Sequence, residues 1–164
     1  MKRFLIAVLL PLAPCLLLAA DDDEAKKEYV RFEGAWRFTS LEIEGTSLPE
    51  NVFKSSRLIL EGQHFTVKED TGTIKGTYKV NLTKKPKQID VTFADGPDKG
   101  KVLHGIYELD GDTYRVCIGL PGKSRPTAFE SKPGTGHVLE VLTREKLPAK
   151  EKAGKKETAK QKGT

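Results

Sequence analysis

The chain has two cysteines in 164 residues. Cys15 lies in an apolar N-terminal run and Cys117 in the body, so loss of that run on export leaves one thiol. An internal disulfide framework is thereby excluded, and the fold has to rely on its core. The three histidines, His64, His104 and His137, share no short ligand spacing. That argues against a zinc site readable from sequence, and each reads as solvated or locally hydrogen-bonded. Charge of one sign is also missing from the body. The net charge is +5, but Lys2 and Arg3 supply two of it and residues 145–164 four, which leaves about −1 for residues 21–144. A nearly neutral body argues against nucleic acid as a partner. No glycine-rich phosphate loop joins a strand to a helix, and no serine sits in a nucleophile elbow.

What is present begins with a basic start, Met1-Lys2-Arg3, then apolar sequence from Phe4 to Leu18, then Ala19-Ala20 and the acidic run Asp21-Asp22-Asp23-Glu24. This order is that of a secretory signal peptide over residues 1–20, with cleavage near Ala20. The apolar run is shorter than the roughly 20 residues a permanent span needs, and it carries Pro11 and Pro14. No transmembrane segment is therefore expected in the mature chain, and the destination is periplasmic or secreted. Leu12-Ala13-Pro14-Cys15 resembles a lipobox, but Pro14 before the cysteine and three leucines after it argue against lipidation. Residues 21–31 read as a charged leader, with one or two helical turns over 25–32. Residues 32–145 read as one domain. Residues 146–164 are Lys-, Ala- and Gly-rich and read as a disordered tail.

Within the domain the dominant period is two. Glu33-Gly34-Ala35-Trp36-Arg37-Phe38 opens the first strand, whose apolar phase shifts between Phe38 and Leu41 as at a bulge. A short helix near Pro49 is expected between the first and second strands, capping one mouth. A turn at Gly62-Gln63 pairs Leu60 with Phe65 and Leu58 with Val67. Alternation continues through Ile74, Gly76, Tyr78 and Val80, and through Ile89, Val91 and Phe93. A two-residue turn at Asp110-Gly111 places Tyr107 opposite Tyr114, Gly105 opposite Val116 and His104 opposite Cys117. A Pro/Gly-rich loop follows, then a last strand, Val138 to Arg144. The fold class is all-β: eight antiparallel strands in meander order, closed into a barrel able to hold side chains or one small ligand. Closure brings Arg144 across the indole of Trp36.

Gly34-Ala35-Trp36 resembles the Gly-x-Trp signature of lipocalins, with Arg144 placed like the arginine that packs over that tryptophan. Gly76-Thr77-Tyr78-Lys79-Val80, Gly105-Ile106-Tyr107-Glu108-Leu109-Asp110-Gly111-Asp112, Arg125-Pro126-Thr127-Ala128-Phe129 and Gly134-Thr135-Gly136-His137-Val138-Leu139 resemble a paralogous family of small planctomycete proteins. The resemblance runs from about Phe32 to Arg144. It implies a lipocalin-like, calycin-type barrel, usually exported, with no assigned activity and no catalytic residue. The lipocalin relation implies that a small apolar ligand is possible.

The candidate ligand-lining residues are Leu58, Phe65, Ile74, Tyr78, Val91, Phe93, Tyr107, Tyr114 and Val116. They can fill the interior or surround a cavity, depending on shear and rotamers. In the second case Gly76 and Gly105 leave space and the three tyrosines offer hydroxyls. Gly34, Trp36 and Arg144 are the closure set. The facing pair His104 and Cys117, with Arg115 nearby, is the one arrangement suggesting nucleophilic chemistry. Its outward face and lack of a third partner favour ordinary cross-strand packing. The expected function is an exported, monomeric, non-enzymatic binding protein for a small apolar or amphipathic ligand, without metal or cofactor. The alternative is a structural or adhesive envelope module held to anionic surfaces by the lysines of its tail.

Overall fold

In the computed structural model, residues 17–146 are described. The signal peptide over 1–20 and the tail over 146–164 therefore lie almost wholly outside the described residues. An α-helix, α1 (Leu17–Phe32), precedes nine strands: β1 (Gly34–Ile43), β2 (Thr46–Ser47), β3 (Arg57–Glu61), β4 (His64–Glu69), β5 (Gly72–Asn81), β6 (Lys87–Phe93), β7 (Val102–Asp110), β8 (Thr113–Gly119) and β9 (His137–Arg144). A single 3₁₀ turn, Glu50–Val52, follows the two-residue β2 and is the short helix expected after the first long strand. Each long strand is antiparallel to the next, and β1 also pairs with β9. The eight long strands thus close into the barrel that the alternation predicts.

Closure needs β1 to serve two neighbours. Its first half pairs with β3 from Gly34 to Arg37, while nearly its whole length pairs with β9. The register shifts between Phe38 and Ser40, which bends the strand and changes the inward phase from Trp36 and Phe38 to Leu41. On β9 the inward residues are Val138, Glu140 and Leu142, followed by Arg144 at the indole.

One end of the barrel is shut by α1, a longer helix than the one or two turns expected. The stretch from Leu16 to Glu33 contains neither Gly nor Pro, so nothing stops a helix from running through it. Its last turns bury Phe32 completely and Glu28 nearly so. The Phe32 ring meets Tyr78, Tyr107 and Tyr114 at centroid distances of 5.6, 5.1 and 5.1 Å. The Glu28 carboxylate accepts hydrogen bonds from Tyr107 Oη at 3.0 Å, Lys87 Nζ at 2.7 Å and Arg31 at 2.6 Å. Burial pushes its pKa up, but these donors win and hold it below the usual carboxylate range.

Arg144 and Trp36 lock the same end. The guanidinium lies 4.1 Å from the indole centroid and donates to the carbonyls of Arg31 and Glu33 and to Asp112 Oδ1. Trp36 Nε1 donates to the Phe32 carbonyl at 2.8 Å. One cation therefore stacks on the core tryptophan and satisfies carbonyls at the helix C-terminus, where positive charge is favoured. Gly34, at φ +125°, is required beside it, because a Cβ there would sit 3.3 Å from the guanidinium.

Three local expectations are corrected. The β7–β8 turn is Gly111-Asp112, with the positive φ on Gly111, so Tyr107 faces Val116, Gly105 faces Ile118 and Ile106 faces Cys117. His104 and Cys117 are not opposite each other. The outer face of this hairpin is not open either. Residues 120–136 fold over it, leaving Ile106, Cys117 and Pro126 fully buried, with Arg115 stacked 4.3 Å from the Phe129 centroid. Nor do Gly76 and Gly105 leave space. A Cβ on Gly76 would lie 2.3 Å from the Phe65 ring, and one on Gly105 2.8 Å from the Cys117 carbonyl oxygen. Each glycine admits a neighbour.

Trp36→Ala should cost about 3–5 kcal/mol in urea unfolding, as loss of a large buried ring does. Arg144→Lys should cost about 2 kcal/mol, because an ammonium cannot stack and donate to two carbonyls together. Trp36 is 0% exposed, so its native emission should be blue-shifted and should move red on unfolding.

Candidate functional site: the barrel interior

Above the aromatic floor the barrel is hollow. A cavity of about 340 Å³ occupies its upper half, more than twice the roughly 150 Å³ that accepts a benzene in an engineered core. Of the candidate residues, Leu58, Phe65, Ile74, Tyr78, Val91, Phe93, Tyr114 and Val116 line it. Tyr107 does not. It is placed at the shut end, 1% exposed, with its hydroxyl on Glu28. Phe38, Leu41, Phe53 and Val138 complete much of the apolar wall. The mouth lies at the end away from α1, where Val52, Leu120 and Glu69 line the rim and stay exposed. The segment after the 3₁₀ turn sends Phe53 inward beneath that rim.

The tyrosine hydroxyls divide differently from the expectation. Tyr78 Oη is used up on the Gly62 carbonyl at 2.8 Å and Tyr107 Oη on Glu28 at 3.0 Å. Tyr114 Oη has no hydrogen-bond partner among the described residues. Burial, and then the neighbouring Glu140 charge, hold that phenol well above its ordinary pKa.

Glu140 is the residue that sequence reasoning missed. It sits midway along β9, level with Leu41 on β1 and Val116 on β8, and it lines the cavity. Its partial exposure is to that cavity. Its carboxyl makes no hydrogen bond or ion pair among the described residues, and burial alone pushes its pKa up to about 7. An ionised carboxylate with no partner in an apolar wall is disfavoured, so below neutrality the group is held as the acid. Among the described residues, no Lys, Arg or His lines the cavity. Its two ionisable acids are Glu140 within and Glu69 at the rim.

The suggested nucleophile is shut away from this space. Cys117 is fully buried under the loop, donates to the Glu130 carbonyl at 3.4 Å, and has its thiol pushed up to about 11 by burial. His104 is instead tied to Asp90, at 2.8 Å, and Asp90 also accepts from Arg125 at 2.6 Å. Burial raises the Asp90 pKa, but the His104 and Arg125 contacts outweigh it and leave it lowered. His64 and His137 lie elsewhere on the barrel, at the start of β4 and the start of β9. Among the described residues no group of three or more His, Cys, Asp or Glu side chains is gathered as a metal site. No helix of the described residues is long and apolar enough to cross a membrane.

Neither a protein-family model nor a curated protein matches the chain. Among solved structures it is similar to the crystal structure of a DUF4847 family protein from Bacteroides vulgatus ATCC 8482. The identity is 11%, over 74% of this chain and 99% of that one, with a TM-score of 0.46. The likeness is slight. It carries no argument about function, and the barrel stands on its own strand register.

Glu140 should make stability fall as pH rises. Its folded pKa of about 7 lies above the ordinary value of 4.5. The folded state therefore holds the proton more tightly, and the penalty is absent below about 4.5 and complete above about 7. Glu140→Gln should stabilise the protein by about 1–3 kcal/mol at pH 8 and far less at pH 5, as read by urea unfolding at both. Glu28 and Asp90, whose values are lowered, act the other way. They lose stability only as pH falls below the ordinary carboxylate range.

Proposed function

We propose that this protein is an exported, non-enzymatic carrier or sensor that binds one small amphipathic molecule inside its barrel. The observation that supports this most is the cavity of about 340 Å³ with an apolar wall, a mouth away from α1 and two polar groups, Glu140 and Tyr114, without partners among the described residues. A protein interior is normally packed to crystal density, and a void of this size forgoes dispersion contacts all along its lining. Aromatic and aliphatic walls with a few placed polar groups are what small-molecule sites have in common. The basic, apolar, small and acidic order of residues 1–24 supports export. A reading as a thiol enzyme gains no support from a Cys117 that is buried with its thiol on the Glu130 carbonyl, while His104 is bonded to Asp90. The adhesive alternative rests on a tail outside the described residues.

Native mass spectrometry of the protein purified from its own host should find one small organic molecule per chain, released on denaturation. Val91→Trp puts an indole into the cavity. It should abolish that adduct while leaving the blue-shifted Trp36 emission and the cooperative unfolding in place. An adduct retained by Val91→Trp would place the molecule outside the barrel.

A further inference from the structure

Resting on the cavity reading above, we propose that the barrel selects hydrophobic amines, with the alkyl or aryl body in the cavity and the ammonium on the Glu140 carboxylate. Charge decides among the amphipathic classes. A fatty acid or phosphate ester would bring an anion into a space that, among the described residues, Glu140 and Glu69 line and no Lys, Arg or His does. An alcohol would be accepted, but without the ionic contribution. An ammonium would give the carboxylate the partner that none of the described residues supplies, and against an apolar wall such a charge-assisted pair is stronger than in bulk water. The Tyr114 hydroxyl, also without a partner, can accept a second ammonium proton. The aromatic faces of Phe38, Phe65 and Phe93 on the same wall are attractive to a cation on its way in. Glu69 at the rim gives the mouth the same sign.

The size fits a short amine. Glu140 lies midway between mouth and floor, and about 340 Å³ accommodates an eight-carbon chain more easily than a sixteen-carbon one. Binding should also be linked to protons. Facing Glu140 across β1 and β8 are Leu41 and Val116, which do not titrate. The other titratable groups on the wall are Tyr114 from β8, Tyr78 from β5 and Glu69 at the end of β4. The phenols are held above their ordinary range. An alkylammonium keeps its charge through the neutral range, so its affinity should follow the ionisation of Glu140.

The test is calorimetric titration of the full chain with 1-octylamine, 1-octanol and octanoic acid. At pH 8 the amine should bind at least about tenfold tighter than the alcohol, with the acid weakest. Between pH 6 and pH 8 its affinity should rise by about tenfold while that of the alcohol does not. Glu140→Gln should remove both the preference and the pH dependence and still bind octanol. The pH profile is read on the unaltered protein, so it decides the matter even if the variant folds poorly. Equal binding of amine and alcohol, or a flat amine profile, overturns the amine proposal. Binding of octanol or octanoic acid without the amine also overturns it but leaves the carrier reading intact. If none of the three binds to protein whose Trp36 emission is native, both readings fail.

Discussion

The stacking of Arg144 on Trp36 is the interaction on which the rest of this molecule depends. It joins three things that are far apart in the chain: the last strand, the first strand and the end of the N-terminal helix. The same guanidinium that covers the indole holds the carbonyls of Arg31 and Glu33, so the sheet cannot open without also releasing α1. Phe32 is thereby fixed as a plug among Tyr78, Tyr107 and Tyr114, and Glu28 is carried in with it to neutralise Lys87 and Arg31. The barrel is thus shut and packed at one end by Trp36, Phe32 and the tyrosines. The other half can then remain hollow, because cooperative closure does not depend on filling it.

That division gives Glu140 its character. The carboxyl belongs to a strand whose next inward residues are Leu142, fully buried, and Arg144. It is therefore held above the aromatic floor by the best-packed part of the fold. No donor among the described residues reaches it, and it faces the cavity. A buried acid of this kind is a standing cost to stability, of the sort proteins tolerate at sites that bind or react. Elsewhere in the fold the contrast is plain. Asp90 has both Arg125 and His104, Glu28 has three donors, and each is kept below the normal range.

The barrel was legible because its strands alternate and its turns are short. Parity also explains why one error did limited harm. Moving the β7–β8 turn from Asp110-Gly111 to Gly111-Asp112 changes every facing partner but keeps the same residues on each face. The same residues therefore stay on the inner face, while the apparent His104–Cys117 pair vanishes. The misses are non-local. Nothing within Ile106 or Cys117 announces that residues 120–136 will fold back over them. Whether Phe65 packs into the notch at Gly76 is a matter of cross-strand geometry. Tyr107 fell out of the cavity because a helix from the leader supplies its partner. Glu140 is different, since its signal was available: counting back by twos from an Arg144 that stacks on a core tryptophan puts Leu142, Glu140 and Val138 inside.

The central claim is that a carboxyl with no partner among the described residues stands in an apolar-walled cavity at the middle of the barrel. Its most direct test is the titration of the Glu140 side-chain carboxyl carbon by NMR in the ligand-free protein, assigned by comparison with Glu140→Gln. The account predicts a midpoint near 7, set by burial alone. A midpoint near the ordinary glutamate value, about 4.3, would mean that the carboxyl is solvated or paired and would contradict the account.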